Sequence, residues 1–317
     1  MKLRKLTAIF VTLILLAILL LQIRVKDINE IFSNSDPLFI VATIPVYLLL
    51  YLFRSIRFYS MLSFDGGLDN MFSIVCIHNL ANAIMPARTG ELSFVYLSKR
   101  SGISTGKGLA TLIVSRGFDF LSISILFVVV LLNASLPPPF TSMELVMSIT
   151  IFIAFGFLLG FIKFGNSLAT IVLKLRNKID FHPFRWFLSK IIETLESASV
   201  VKTTREIFIA VFCSLGIWLC MILINYLLFL AFGIKLELVE LVVLVGAATI
   251  LPIIFFYGLG GFGTIEVAYA SVLILFGFPK GIAILASFGV HIITFLYILI
   301  FGAYGSWRLN ISNFLRD

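Results

Sequence analysis

LPIIFFYGLGGFGTIE, running from Leu251 to Glu266, sets Pro252 and four glycines (Gly258, Gly260, Gly261 and Gly263) inside an apolar stretch that extends from Leu238 to Phe278. Proline removes a backbone donor and glycine weakens a helix interior, so a helix must break here, in the middle of a membrane-like segment. NAIMPARTGE, from Asn82 to Glu91, interrupts the apolar segment Met71 to Ser98 in the same way. Irregular backbone at membrane depth is tolerated only where protein buries it or a wet cavity lines it. Both stretches therefore read as re-entrant helical hairpins around a polar cavity, with two ordinary pairs of spans as the alternative.

The rest of the chain agrees with a membrane setting. Its 317 residues are 60% hydrophobic and 13% charged, with a mean hydropathy of +1.11, which excludes an ordinary water-soluble domain. Full-length apolar runs occur at Leu6 to Ile23, Leu38 to Phe53, Gly108 to Leu132, Val146 to Ile162, Ile207 to Phe232 and Gly281 to Tyr304. The expected fold is an all-α polytopic membrane protein with six transmembrane helices and two re-entrant hairpins. The first run follows Lys2, Arg4 and Lys5 but exceeds a secretory h-region and precedes no A-x-A site, so it reads as an uncleaved signal anchor. Cys76, Cys213 and Cys220 lie in apolar runs without metal-type spacing and read as small buried hydrophobes.

Charge gives the orientation. Six spans with hairpins that enter and leave on one side put both termini on one face. Lys99, Arg100, Lys107, the Lys163 to Arg205 loop, Arg308 and Arg316 fall on the N-terminal side, leaving Arg24, Lys26, Lys235 and Lys280 opposite. The positive-inside rule makes that N-terminal side cytoplasmic, in a multi-pass cell-membrane protein. The 163–205 loop has a net charge of +5 and reads as amphipathic helices on the membrane surface, or as a docking site for a soluble partner. The overall net charge of +8 is accounted for by such loops beside anionic lipid, and no nucleic-acid partner is expected.

An internal repeat is expected as well. At an offset of 175 residues, Thr89 matches Thr264, Glu91 matches Glu266, Gly102 matches Gly277 and Gly106 matches Gly281, while Arg116 falls opposite His291. A span, a hairpin and a span make up each half. Within a single integral-membrane domain covering residues 1–317, the first repeat is 37–132, a fourth span and cytoplasmic basic loop occupy 133–206, and the second repeat is 207–305. Under the orientation above the halves are inverted, an arrangement whose binding sites lie near the midplane at broken helices.

Thr89 and Thr264 each precede a glutamate by two positions at the start of an expected helix. Helix capping alone accounts for Glu91 and Glu266; alternatively, the free N–H groups of helix termini at membrane depth face an anionic headgroup, which Gly260, Gly261 and Gly263 let approach closely. Arg116 and Asp119 lie three apart on one helix face. Two unpaired charges there would cost about 5–7 kcal/mol on insertion scales, so they either pair with each other or line a cavity. Arg88, after the Pro86 break, is placed similarly or snorkels from a shallow tip. Arg54 and Arg57 read first as interface anchors and second as phosphate ligands. His291 pairs with Glu266 or titrates during transport, or else makes a structural hydrogen bond between helices. His78, Asn79 and Asn82 line the first hairpin. No motif for hydrolase or zinc chemistry is present, and neither a metal nor a cofactor is expected.

Arg54 and Arg57, NAIMPARTGE, SRGFD (Ser115 to Asp119) and LPIIFFYGLGGFGTIE together resemble the transmembrane, flippase-type region of lysylphosphatidylglycerol synthases, over about Tyr47 to Arg308. The resemblance implies a module that moves lipid between leaflets. It places the family's functional positions on Asn82, Pro86, Arg88, Gly90, Glu91, Arg116, Asp119, Gly260, Gly261, Gly263 and Glu266. Ser115 stands where the family often has glutamate, and His291 where it often has arginine, which puts headgroup preference or coupling ion in question. No synthase domain follows Asp317, so the chain is not expected to aminoacylate lipid.

The expected function is translocation of an anionic or modified phospholipid, or of a polyprenyl lipid, with no chemical reaction. Arg88, Arg116, Asn82, Arg57 and the hairpin backbone around Pro86, Thr89, Gly90, Pro252, Gly260, Gly261, Gly263 and Thr264 would hold the headgroup, with Glu91, Asp119, Glu266 and His291 orienting the cations. The alternative is a membrane-embedded transferase or glycosylation accessory acting on polyprenyl-phosphate lipid, with a membrane glycosyltransferase or synthase as partner.

Overall fold

The computed structural model describes residues 35–85, 89–131, 163–178, 181–197, 203–254 and 259–310, with a few isolated positions besides. Every regular element among them is helical. The chain is an all-α polytopic membrane protein. Among the described residues, four helices are long and apolar enough to cross a bilayer: Pro37–Leu62, Thr105–Val130, Thr204–Ala231 and Lys280–Arg308. They correspond to the expected spans at Leu38, Gly108, Ile207 and Gly281. The expected runs at Leu6 to Ile23 and Val146 to Ile162 lie outside the described residues.

Helix α1 (Pro37–Leu62) starts where the Asp36 carboxylate accepts from the Leu38 N–H, with proline at the first helical position, and it stops at Ser63 in a left-handed conformation. Helices α2 (Leu68–Ile84) and α3 (Glu91–Arg100) form the first broken pair. Helix α4 (Thr105–Leu131) follows. Residues 163–176 are helical, and α5 (His182–Glu196) is the amphipathic helix of the basic loop. Helix α6 (Thr204–Ala231) opens with a capping box in which Thr203 and Glu206 satisfy each other's backbone N–H. Helices α7 (Leu238–Ile254) and α8 (Thr264–Leu275) form the second broken pair, separated by a one-turn 3-10 segment at Leu259–Gly261. Helix α9 (Lys280–Arg308) is last.

A long helix, a broken pair and a long helix thus occur twice. At 1.5 Å per residue the second arms, α3 and α8, span about 15 and 18 Å, well short of a hydrocarbon core of about 30 Å. The breaks fall where the sequence requires them. Gly260, Gly261 and Gly263 have φ values of +67°, +77° and +86°, a region closed to most L-residues. Pro252 lies inside α7, two residues before that helix ends. At the first break, Gly90 has an ordinary φ of −60° and is needed for a different reason: a Cβ there would sit 2.3 Å from the Ala81 carbonyl carbon of α2. Only glycine lets the two arms approach so closely.

The halves pack crosswise. Helices α1 and α6 make the largest interface and run antiparallel: the Asp36 N–H donates to the Ala231 carbonyl at one end, while Phe53 meets Gly216 and Arg57 meets Ser214 toward the other. The last helix of the second half, α9, lies along α2 of the first; α4 of the first half touches α7 of the second. Leu80 covers Gly302, and the Ser73 carbonyl lies 2.7 Å from where a Gly305 Cβ would project, so small residues set the α2–α9 spacing. Tyr47, Tyr51, Phe72 and Phe301 stack between α1, α2 and α9. The 3-10 segment packs against α2, which brings the second break beside the first hairpin.

Candidate functional site

A chain of ion pairs runs through the first half. It starts at Glu91, the first residue of α3, whose carboxylate accepts from Arg116 Nη2 at 2.5 Å. Arg116 also reaches Asp119, one turn further along α4, at 3.4 Å. Asp119 in turn binds both Nη atoms of Arg57 on α1, at 2.5 and 3.4 Å, and Arg57 donates to the Ser214 hydroxyl on α6 at 2.7 Å. Four helices are tied by two arginines and two carboxylates. Exposure falls along this chain, from 41% for the Arg116 side chain to 3% for Arg57. The inner end is a structural lock, and the outer end is accessible.

Arg54 adds a third guanidinium beside it, donating to the Asn79 side-chain carbonyl of α2 at 2.6 Å. Among the described residues no carboxylate pairs with it, so three arginines face two acids and the cluster carries one net positive charge. Asn82, one turn from His78 on α2, has its amide nitrogen 3.3 Å from His78 Nε2, while its side-chain carbonyl has no partner among the described residues. A buried acceptor of this kind is normally satisfied by water or ligand.

The second half repeats one feature of this arrangement. Glu266, the third residue of α8, is fully buried; one carboxylate oxygen accepts from the Gly263 N–H at 2.7 Å and the other lies 2.7 Å from His291 Nδ1 on α9. In each half, a glutamate in the first turn of the short second arm thus pairs with a basic residue 25 positions later on the following long helix. The Phe262 ring lies 4.5 Å from the His291 ring, closing the pair off.

The site residues expected from sequence fall into three groups. Glu91, Arg116, Asp119 and Arg57 are brought together, and Glu266 with His291 forms a second centre. Gly90, Gly260, Gly261 and Gly263 shape the breaks, while Thr264 is buried and Thr89 exposed at the two hairpin arms. Pro86 and Arg88 lie outside the described residues. Arg57 is no interface anchor: it is among the most buried charged groups, because Asp119 and Ser214 from two other helices neutralise and bond it. Asn79 as partner of Arg54 and Ser214 as partner of Arg57 went unforeseen. The signal for the first lay in the spacing of α2, where His78, Asn79 and Asn82 cluster on one side; no local pattern marks Ser214.

A polytopic membrane protein with two broken-helix pairs, each anchored by an acid–base pair at its second arm, is the class that the fold and site define. The chain belongs to the family of the lysylphosphatidylglycerol synthase TM region, whose model matches residues 5–302. It is also similar to glycosyltransferase AglD of Haloferax volcanii, at 29% identity over 129 residues, which are 39% of this chain and 21% of that protein. The match thus spans about a fifth of the length of this relative. No solved structure matches significantly.

Proposed function

We propose that the protein is a lipid translocase that passes an anionic or modified phospholipid, or a polyprenyl lipid, between leaflets of the cell membrane without making or breaking a bond. The observation that carries this reading is the ion-pair chain from Glu91 to Arg57, set among long apolar helices, accessible at Arg116 and net positive once Arg54 is counted. Charges inside an apolar bundle are costly and usually mark a substrate path. Arg116 and Arg54 would meet the headgroup anion, Asn82 would offer an acceptor to its hydroxyl or ammonium groups, and Glu91 and Asp119 would hold the arginines in place. The two halves are proposed to be inverted repeats with both termini cytoplasmic; the antiparallel packing of α1 on α6 supports the inversion. Rocking about that interface would open the site to either leaflet.

Reconstitution into liposomes with headgroup-labelled lipids, followed by chemical quenching from outside, tests the reading. Protein-dependent loss of the protected inner-leaflet signal is expected, with at least a tenfold slower rate for a folded Arg116→Ala variant. Exchange at the rate of empty liposomes, across anionic, zwitterionic and polyprenyl lipids, would refute it.

A second reading is favoured by the similarity to a glycosyltransferase. On it, the same net-positive cluster holds a polyprenyl phosphate for a membrane glycosyltransferase partner. Retention of polyprenyl phosphate through purification, together with absence of leaflet exchange, would support this alternative.

A further inference from the structure

The two acid–base pairs occupy equivalent places, but they differ in one chemical respect. Arg116 is a permanent cation, so the Glu91–Arg116 pair has a fixed charge. An imidazole, unlike a guanidinium, can exist with or without its second proton, so the Glu266–His291 pair can be neutral, sharing one proton, or carry a buried negative charge without it. We infer that Glu266 and His291 form a proton-binding site, and that its loading and unloading couples the movement of a proton to the movement of lipid. This inference rests on the translocase reading for the coupling, though not for the proton site itself.

The surroundings isolate the proton. Glu266 is 0% exposed and His291 4%. The Gly263 N–H compensates one carboxylate oxygen, which leaves the other to His291 alone. On α8, Tyr269 lies near Glu266 and near Tyr47 of α1, and the Asn225 side chain of α6 hydrogen-bonds to Tyr269. On α9 itself, Thr294 bonds back to the Val290 carbonyl, and Tyr47 donates to the Thr294 carbonyl. From the break, Phe262 packs on the imidazole. No arginine, lysine or second carboxylate pairs with Glu266 or His291 among the described residues. Losing the proton would leave an anion in an apolar setting with the Gly263 N–H as its compensating donor, a costly state that favours rearrangement toward further donors.

The position makes that movement consequential. Glu266 caps α8 through the glycine turn at Gly260, Gly261 and Gly263, and that turn abuts α2, which carries His78, Asn79 and Asn82 of the first site. A change in the charge of the pair acts directly on the cap, and the cap sits against the headgroup site. This provides a short physical connection between the two halves.

The experiment is a pH gradient across proteoliposomes containing headgroup-labelled lipid, read as the steady leaflet ratio. With one proton per lipid, each pH unit shifts that ratio by up to about tenfold, equivalent to about 1.36 kcal/mol. A His291→Arg variant, which copies the fixed charge of the first half, is expected to move lipid with a ratio that does not respond to the gradient. His291→Asn, smaller and unable to titrate, serves if arginine is not accommodated. Wild-type exchange that ignores the gradient would overturn the coupling while leaving the translocase reading intact. Infrared difference spectra of the purified protein between about pH 5 and 8 test the proton site without transport: imidazole and carboxyl bands lost in either variant support it. Spectra identical in wild type and variant would overturn it, even for a protein that moves no lipid.

Discussion

Replacing Asp119 with asparagine keeps its shape and removes the charge that Arg57 and Arg116 share. At the observed 2.5 Å separation and an effective dielectric of about 20, the Arg57–Asp119 attraction is on the order of 7 kcal/mol. Desolvation of both groups offsets part of this, so the net contribution of the pair is far smaller. Breaking it from one side is nevertheless expensive, because Arg57 cannot reach water: about 3–5 kcal/mol, or a hundredfold to several-thousandfold in the folding equilibrium. Removing both charges in Arg57→Met with Asp119→Leu should recover most of the loss, since no orphaned ion then remains. Equilibrium unfolding in mixed micelles of rising SDS content, followed by circular dichroism, measures all four corners of the cycle. An Asp119→Asn protein within about 1 kcal/mol of wild type, or a double variant as unstable as the sum of the singles, would refute the argument.

Three other outcomes are expected. Gly90→Ala drives a methyl group into the Ala81–Asn82 backbone, and overpacking of this kind should lower stability by about 1–3 kcal/mol in the same assay, although alanine tolerates the φ of this position. Gly302→Val should separate α9 from α2 at Leu80, destabilising the protein by a comparable amount, whereas valine at the exposed, non-helical-break position of Leu299 should be nearly silent in thermal unfolding. On the loop side, partial burial pushes the Glu193 carboxyl up, but hydrogen bonds from Lys190 and the Gly106 N–H outweigh it and hold the group below its usual value. Its contribution is thus present above the ordinary carboxylate range near about 4.3 and is lost as the pH falls through the lower folded value. Wild type should lose thermal stability more steeply than Glu193→Gln below about pH 4.

Much of the fold is written locally. Apolar runs uninterrupted by charge mark the spans, and the proline and glycine clusters mark the breaks, because both signals act within a few residues. The Glu266–His291 pair could be foreseen because the internal offset aligns it with Glu91 and Arg116. Arg57 could not be read this way. Basic residues near the end of a span ordinarily sit at the headgroups, and its true partner lies 62 residues away on another helix. Arg54, Arg57 and Arg116 within apolar helices need compensating groups, and Glu91 and Asp119 supply the two carboxylates. Ser214, a small polar residue in a largely apolar helix, carries no such signature.

The crosswise packing of α2 on α9 also bears on how the protein is made. Leu80 and Gly302 are more than two hundred residues apart, so at translation rates of about 5–20 residues per second the face of α2 that α9 will cover waits on the order of 10–40 s. During that interval the α2 edge bearing Ser73, Cys76, Ile77 and Leu80 is already in the bilayer without α9. An insertion machinery that shelters this edge until the final helix arrives is then a requirement of biogenesis, and sites that weaken the α2–α9 contact should show first as degradation of newly synthesised chains.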